Sequence, residues 1–221
     1  MTTNRYEQHP SLPPVPDNVQ FLLVRHGQTA LNAAGQLRGR LDPTLDEVGQ
    51  AEVELLANAL TAYSPKLIVC SPVRRAAQTA AAIARATGAG ILIDGDLVDR
   101  DYGHWAGHTK EEVRAKWGSL DQAPGVETRA SLTHRAVGML HKEFRAYPVV
   151  LVTHEVVLQA MLEHLDPTLI SAPQDLAAWD VVTRDDSGHL LLDGADFRAT
   201  QSPSETQLFD THDLAPQTPR S

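Results

Sequence analysis

The run Phe21-Leu22-Leu23-Val24 reads as a buried strand that stops abruptly at Arg25, His26 and Gly27. In an open α/β sheet the carboxyl ends of the strands border the crevice where ligands bind, so Arg25 and His26 are expected at its lip. An arginine grips two phosphate oxygens at once, and a neutral imidazole beside it is a nucleophile. Gly27, without a Cβ, would let a substrate come close to the backbone. Together these residues point to phosphoryl transfer. A basic pair leaving a strand also makes an ordinary solvated turn, so the rest of the chain must supply the context.

Three further segments occupy similar addresses. Ser71 to Ala80, carrying Arg74 and Arg75, follows a short strand over Lys66–Cys70; Leu97 to Trp105, carrying Asp99 and Asp101, follows a strand over Ile91–Ile93; Thr153-His154 ends a strand over Val149–Val152. Two histidines, an arginine pair and a carboxylate are thereby expected at one crevice. Guanidinium groups nearby disfavour protonation of His26 and leave its lone pair free to attack. The same arginines meet the negative charge that spreads over the equatorial oxygens in the transition state, so no metal is required. His104 and His108 have a helical ligand spacing, but Gly103 and Gly107 make that stretch a poor helix, and no metal site is assigned.

The elements that must position these groups alternate between strand and helix. Helical spacing predicts helices over Glu47–Ala62 with Asp46 as cap, from a Ser71-Pro72 opening to about Thr87 with Gly88 as stop, and over about 110–117, 128–145 and 155–164. A terminal hairpin is predicted from Ala177–Thr183 and Leu190–Leu192 around Asp185-Asp186-Ser187-Gly188. The loop 33–46 carries Arg38 and Arg40 over the crevice, and Tyr102 and Trp105 are expected to pack beneath the loop from Leu97 to Thr109. The predicted fold is an α/β, three-layer α/β/α sandwich with a mostly parallel mixed sheet and helices on both faces. Residues 1–18, with Pro10, Pro13, Pro14 and Pro16, read as a flexible leader, 19–198 as one catalytic domain and 199–221 as a disordered tail.

With 221 residues, 42% of them hydrophobic, the chain can bury one substantial core. A formal net charge of −9 opposes nonspecific attraction to nucleic acid and to anionic membranes, so an anionic small molecule must be drawn in by local arginines. No apolar run is long enough to cross a bilayer, and a single cysteine, Cys70, read as a buried strand thiol, fits a reducing cytoplasm. Nothing calls for a cofactor. The expected state is a monomer or homodimer.

The order and context of these motifs resemble the histidine phosphatase superfamily, the phosphoglycerate-mutase-like family, over roughly residues 20 to 192. Arg25-His26-Gly27-Gln28-Thr29 with Asn32 is similar to its leading motif, Ser71 to Ala80 to its Ser-x-x-x-Arg-Ala-x-x-Thr-Ala segment, Leu97 to Gly107 to its acid-bearing segment, and Val150 to His154 to its second-histidine strand. The resemblance implies a phosphatase acting on a small phosphate monoester, with His26 as the nucleophile that becomes phosphohistidine. Arg25, Arg75, Asn32 and His154 would form the phosphate pocket, with Gln28 and Arg38 as further substrate contacts; Arg75 is chosen over Arg74 because it directly precedes Ala76. Asp99 would protonate the leaving oxygen and then assist water. The family usually has glutamate at the position of Asp99 and glycine at that of Glu155, so Glu155 and Asp101 stand as alternative donors. A mutase and a catalytically quiet phospho-ligand or protein-binding module are the competing functions. The short stretch between Asp99 and His154 lacks the long insertion of family mutases and favours hydrolysis.

Overall fold

The computed structural model describes residues 15–169, 175–193 and 197–198. Most of the predicted leader, and all of the predicted tail from 199 on, lie outside the described residues. Strands β1 (Val19–Arg25), β2 (Leu67–Cys70), β3 (Gly90–Ile93), β4 (Val149–Thr153), β5 (Ala178–Arg184) and β6 (Leu190–Leu192) form one sheet in the order β3-β2-β4-β1-β5-β6, and β7 (Phe197–Arg198) pairs with β5. The first four strands run parallel, whereas β5 is antiparallel to β1, β6 and β7. The helices are α1 (Ala30–Ala33), α2 (Glu47–Leu60), α3 (Arg74–Thr87), α4 (Lys110–Trp117), α5 (Arg129–Leu140) and α6 (Glu155–Leu165).

Side chains alternate across a strand, and β1 shows what that does here. Leu22 and Val24 face one way, into a core with Leu56 and Leu60 of α2 and Ala76, Ala80 and Ile83 of α3. Phe21 and Leu23 face the other, into a core with Leu132, Ala136 and Met139 of α5 and Leu158 and Met161 of α6. Both faces of the sheet are covered, as the sequence predicts, which is why β1 is an unbroken apolar run. Each fully buried side chain of this kind contributes about 1.5–3 kcal/mol. A smaller cluster of Leu37, Tyr102, Trp105, Val113 and Ala123 supports the loop after Asp99, where the two aromatic rings pack beneath it.

The structure differs from these expectations at four places. Helix α3 begins at Arg74, not at the Ser71-Pro72 step: its N-cap is Val73, whose side chain makes no capping bond, and the Asp42 carboxylate accepts from the Arg74 amide at 2.6 Å instead. Helix α5 ends at Leu140 rather than near residue 145, because Lys142 turns its ammonium to Asp94 and Asp96 at 2.7 and 2.9 Å and the Phe144 ring meets Phe21 edge-on. Gly27 is not bare for a substrate, since a Cβ there would lie 2.7 Å from both the Gly49 carbonyl oxygen and Val53 Cγ1 on α2. Gln28 is likewise drawn toward α2: its side-chain amide donates to Asp46 at 3.2 Å and its backbone N–H to Glu52 at 2.9 Å.

The contact between α2 and the loop after β1 is backbone on backbone. A Cβ on Gly49 would stand 2.1 Å from the Gln28 carbonyl oxygen. Gly49→Ala is therefore expected to destabilise the protein by about 1–3 kcal/mol or more, through overpacking, and to impair turnover by moving the segment that carries His26. Denaturant unfolding and a KM-against-kcat comparison read this, and an unchanged midpoint would contradict it. No helix among the described residues is long and apolar enough to cross a membrane.

Candidate active site

The parallel register places Arg25 opposite Thr153, so the next residues, His26 and His154, leave the sheet side by side. Strand alternation continues past the strand ends. His26 turns toward α3, Arg25 toward α6, and the two imidazole rings lie 5.1 Å apart between centroids. Beyond β2, the Ser71 amide continues the ladder by donating to the Val152 carbonyl, which sets the Ser71 hydroxyl 2.9 Å from His154 Nε2.

His26 is fully buried, and its Nδ1 lies 2.7 Å from the Gly27 carbonyl oxygen. A carbonyl only accepts, so Nδ1 carries the hydrogen and Nε2 the lone pair. Arg75 Nε donates to that Nε2 at 3.3 Å. Burial first, then the charges of Arg75 and Arg25, hold His26 well below the ordinary histidine value, so it is the neutral imidazole that faces the cluster. His154 is held down in the same way by burial and by Arg75, and its Nδ1 is a buried atom without a hydrogen-bond partner among the described residues, 3.9 Å from the Asp99 carboxylate.

Arg75 is the hub. Its guanidinium donates to the carbonyls of Leu41 and Gly39 at 2.8 and 3.0 Å and to Asp99 Oδ2 at 2.9 Å, besides its bond to His26. Its place in the first turn of α3 adds the field of a helix N-terminus. Breaking such a buried pair leaves a carboxylate without its counterion, which costs about 3–5 kcal/mol. Arg75→Met is expected to lose about that much stability at pH 8 and less at pH 5, because the stranded Asp99 then takes up a proton and the folded state gains protons relative to the unfolded one. Unfolding curves at the two pH values check this; equal losses at both would contradict it.

Asp99 and Glu155 are driven in opposite directions. Asp99 is buried, and that burial pushes its carboxyl above the ordinary value against the pull of Arg75 and Arg38. Burial also opposes ionisation of Glu155, yet Arg25, Lys110 and Arg38 together hold it below the ordinary value. Arg25 Nη2 donates to Glu155 at 2.9 Å, with Lys110 Nζ and Arg38 Nη2 at 3.5 and 3.8 Å from the same carboxylate. Asp101 stays at the surface, 3.7 Å from Arg40 Nε, and its side chain caps the Gly103 amide.

Arg25, His26, Arg75, Asp99 and His154 thus meet, with Arg38 beside them. Asn32 lies in the single turn of α1, where its side-chain oxygen accepts from the Thr29 amide and hydroxyl at 3.2 and 2.7 Å, so only its NH2 group is left to meet an anion. Gln28 does not join the cluster. His104 and His108 pack their rings on Trp105. Cys70 is buried, and burial pushes its thiol up to about 11.

Two residues of the site escape sequence reasoning. Ser71 has the signal of a helix cap, and only the adjacency of β2 and β4 reveals it as a partner of His154. Arg135 on α5 donates to the carbonyls of Asp96, Val98 and Asp99 at 2.7, 2.5 and 3.4 Å and to Glu127 at 2.9 Å, which fixes the loop that carries the acid. No spacing in the sequence announces that contact.

Residues 21–193 match the family model of the histidine phosphatase superfamily, branch 1. The chain belongs to that superfamily. Among relatives of this histidine phosphatase, phosphoserine phosphatase 1 of Hydrogenobacter thermophilus is 31% identical over 65% of this chain and 74% of its own length. Glucosyl-3-phosphoglycerate phosphatase of Mycolicibacterium vanbaalenii is 31% identical over 71% of this chain and 76% of its own. A mycobacterial glucosyl-3-phosphoglycerate phosphatase solved with VO3 superposes with a TM-score of 0.68 at 26% identity, over 80% of this chain and 99% of that one. Family and relatives together support a phosphate-ester hydrolase.

Proposed function

We propose that this histidine phosphatase hydrolyses a small phosphate monoester without a metal, through a phosphohistidine formed on His26 Nε2. The observation that carries the reading is the neutral His26 whose Nε2 lone pair is aimed at the Arg75 guanidinium 3.3 Å away. A phosphoryl group entering there takes over that Arg75 hydrogen bond and meets Arg25, Arg75 and the orphan Nδ1 of His154, which supply the positive charge and hydrogen bonds that a transferring phosphoryl group needs. The two relatives are named for phosphate monoesters, and a third protein of this fold was solved with an oxyanion, VO3, which agrees with that use of the pocket.

Attack by Nε2 forms the N–P bond as the ester P–O bond breaks, and the leaving oxygen needs a proton. Asp99 is assigned as its donor, because its carboxyl is pushed up while that of Glu155 is held ionised. An arriving phosphate adds like charge and shares Arg75, which pushes Asp99 up further. As a carboxylate, Asp99 then takes a proton from the water that attacks the phosphoenzyme, releasing inorganic phosphate and regenerating neutral His26. The enzyme is read as cytoplasmic, acting as a monomer or homodimer without nucleic acid or membrane. Rapid acid or base quenching during turnover of a 32P-labelled ester tests the mechanism: a protein-bound label that survives base but not acid is expected, and a label absent during steady turnover would overturn it.

A further inference from the structure

Glu155 is not needed for any step above, yet three cations are gathered on it: Arg25 at 2.9 Å, Lys110 at 3.5 Å and Arg38 at 3.8 Å. The gathering is built by the fold. The loop bearing Arg38 and the start of α4 bearing Lys110 are laced together by Leu37 N–H to the His108 carbonyl and Gly107 N–H to the Leu37 carbonyl, both 2.8 Å, and by a bridge between Gln36 and Thr109. Together they set a cationic arm against the residue that directly follows His154. The Glu155 side chain keeps 20% of its surface exposed and that of Lys110 37%, so both can be reached, whereas Arg25 and Asp99 behind them are nearly closed off.

Glu155 and Lys110 are the solvent-reached neighbours of Arg25, so an ester group extending outward from a phosphate held there would pass them. A carboxylate there repels a second anionic group on the substrate and attracts a cationic one; Lys110 and Arg38 do the reverse. Resting on the phosphatase reading above, we propose that Glu155, Lys110 and Arg38 form a leaving-group subsite of mixed charge, selecting esters whose alcohol carries an ammonium group beside a carboxylate over esters whose alcohol is anionic only. Glu155 reads the ammonium and Lys110 the carboxylate. The preference is set by one side chain that stands next to the second histidine and does no chemistry itself.

O-phosphoserine and 3-phosphoglycerate suit the test because they differ only in an ammonium or a hydroxyl at one carbon, and an aryl phosphate serves as the reference without either group. In the wild type kcat/KM is expected to favour phosphoserine. Glu155→Gln is expected to lower the phosphoserine to 3-phosphoglycerate ratio about tenfold, the size of effect of one partly buried charge pair, and to tighten inhibition by inorganic phosphate. Lys110→Met is expected to weaken both carboxylate substrates relative to the aryl phosphate and to leave their mutual ratio unchanged. A ratio that Glu155→Gln does not move overturns the subsite, as does a Lys110→Met variant that treats all three esters alike. If aryl phosphate turnover does not depend on His26, the phosphatase reading fails instead, and that control is run first.

Discussion

His26→Ala is expected to lose about ten-thousandfold or more of kcat toward an aryl phosphate in the presence of a chelator, with the fold retained. As the proposed nucleophile, His26 has no substitute: among the described residues no other neutral side chain presents a lone pair to the Arg75 guanidinium, which lies 3.3 Å from Nε2. An aryl phosphate has a good leaving group, so the missing step is the attack itself and acid catalysis cannot mask it. His26→Asn keeps more of the side-chain volume and guards against collapse of a fully buried position. Far-UV circular dichroism and phosphate release settle the result together. Folded variants with wild-type turnover would place the nucleophile elsewhere.

Asp99→Asn should behave differently with different leaving groups. With an alkyl phosphate, whose leaving oxygen must be protonated as the P–O bond breaks, a loss of about 10²–10⁴-fold is expected; with an activated aryl phosphate, much less. The pH dependence has a definite sign. The carboxyl must hold its proton to act as acid, and burial raises its pKa, so wild-type turnover of the alkyl ester falls as pH rises through that value. The variant has no proton to lose, and its profile should lack that basic limb. Parallel losses with both esters, or a limb that survives the substitution, would remove Asp99 from the role.

Glu155→Gln separates the two carboxylates further. Its effect should follow the charge of the alcohol and not its quality as a leaving group, since Glu155 is held ionised by Arg25, Lys110 and Arg38. The two residues are thereby distinguished by different substrate series. Each result constrains the other.

What the sequence by itself determined was the local part of the design. The apolar run before Arg25, the run before Thr153-His154 and the period of α3 suffice to put His26, His154 and Arg75 at ends of elements pointing to one edge, because strand alternation and helical spacing are properties of a few consecutive residues. The hairpin of β5 and β6 and the buried Tyr102 and Trp105 follow from equally local signals. Tertiary structure decided the rest, where two groups far apart in the chain share one environment. Ser71 reads as a cap until β2 is laid beside β4, and Gln28 reads as a substrate contact until α2 packs on its backbone. Gly27 changes meaning in the same way. Asp99 and Glu155 are similar acids in the sequence. One is buried against a guanidinium already committed to two carbonyls and a histidine; the other is gathered by three cations from β1, the following loop and α4. Ionisation depends on desolvation and on charges within a few ångströms, and neither is a property of neighbouring letters.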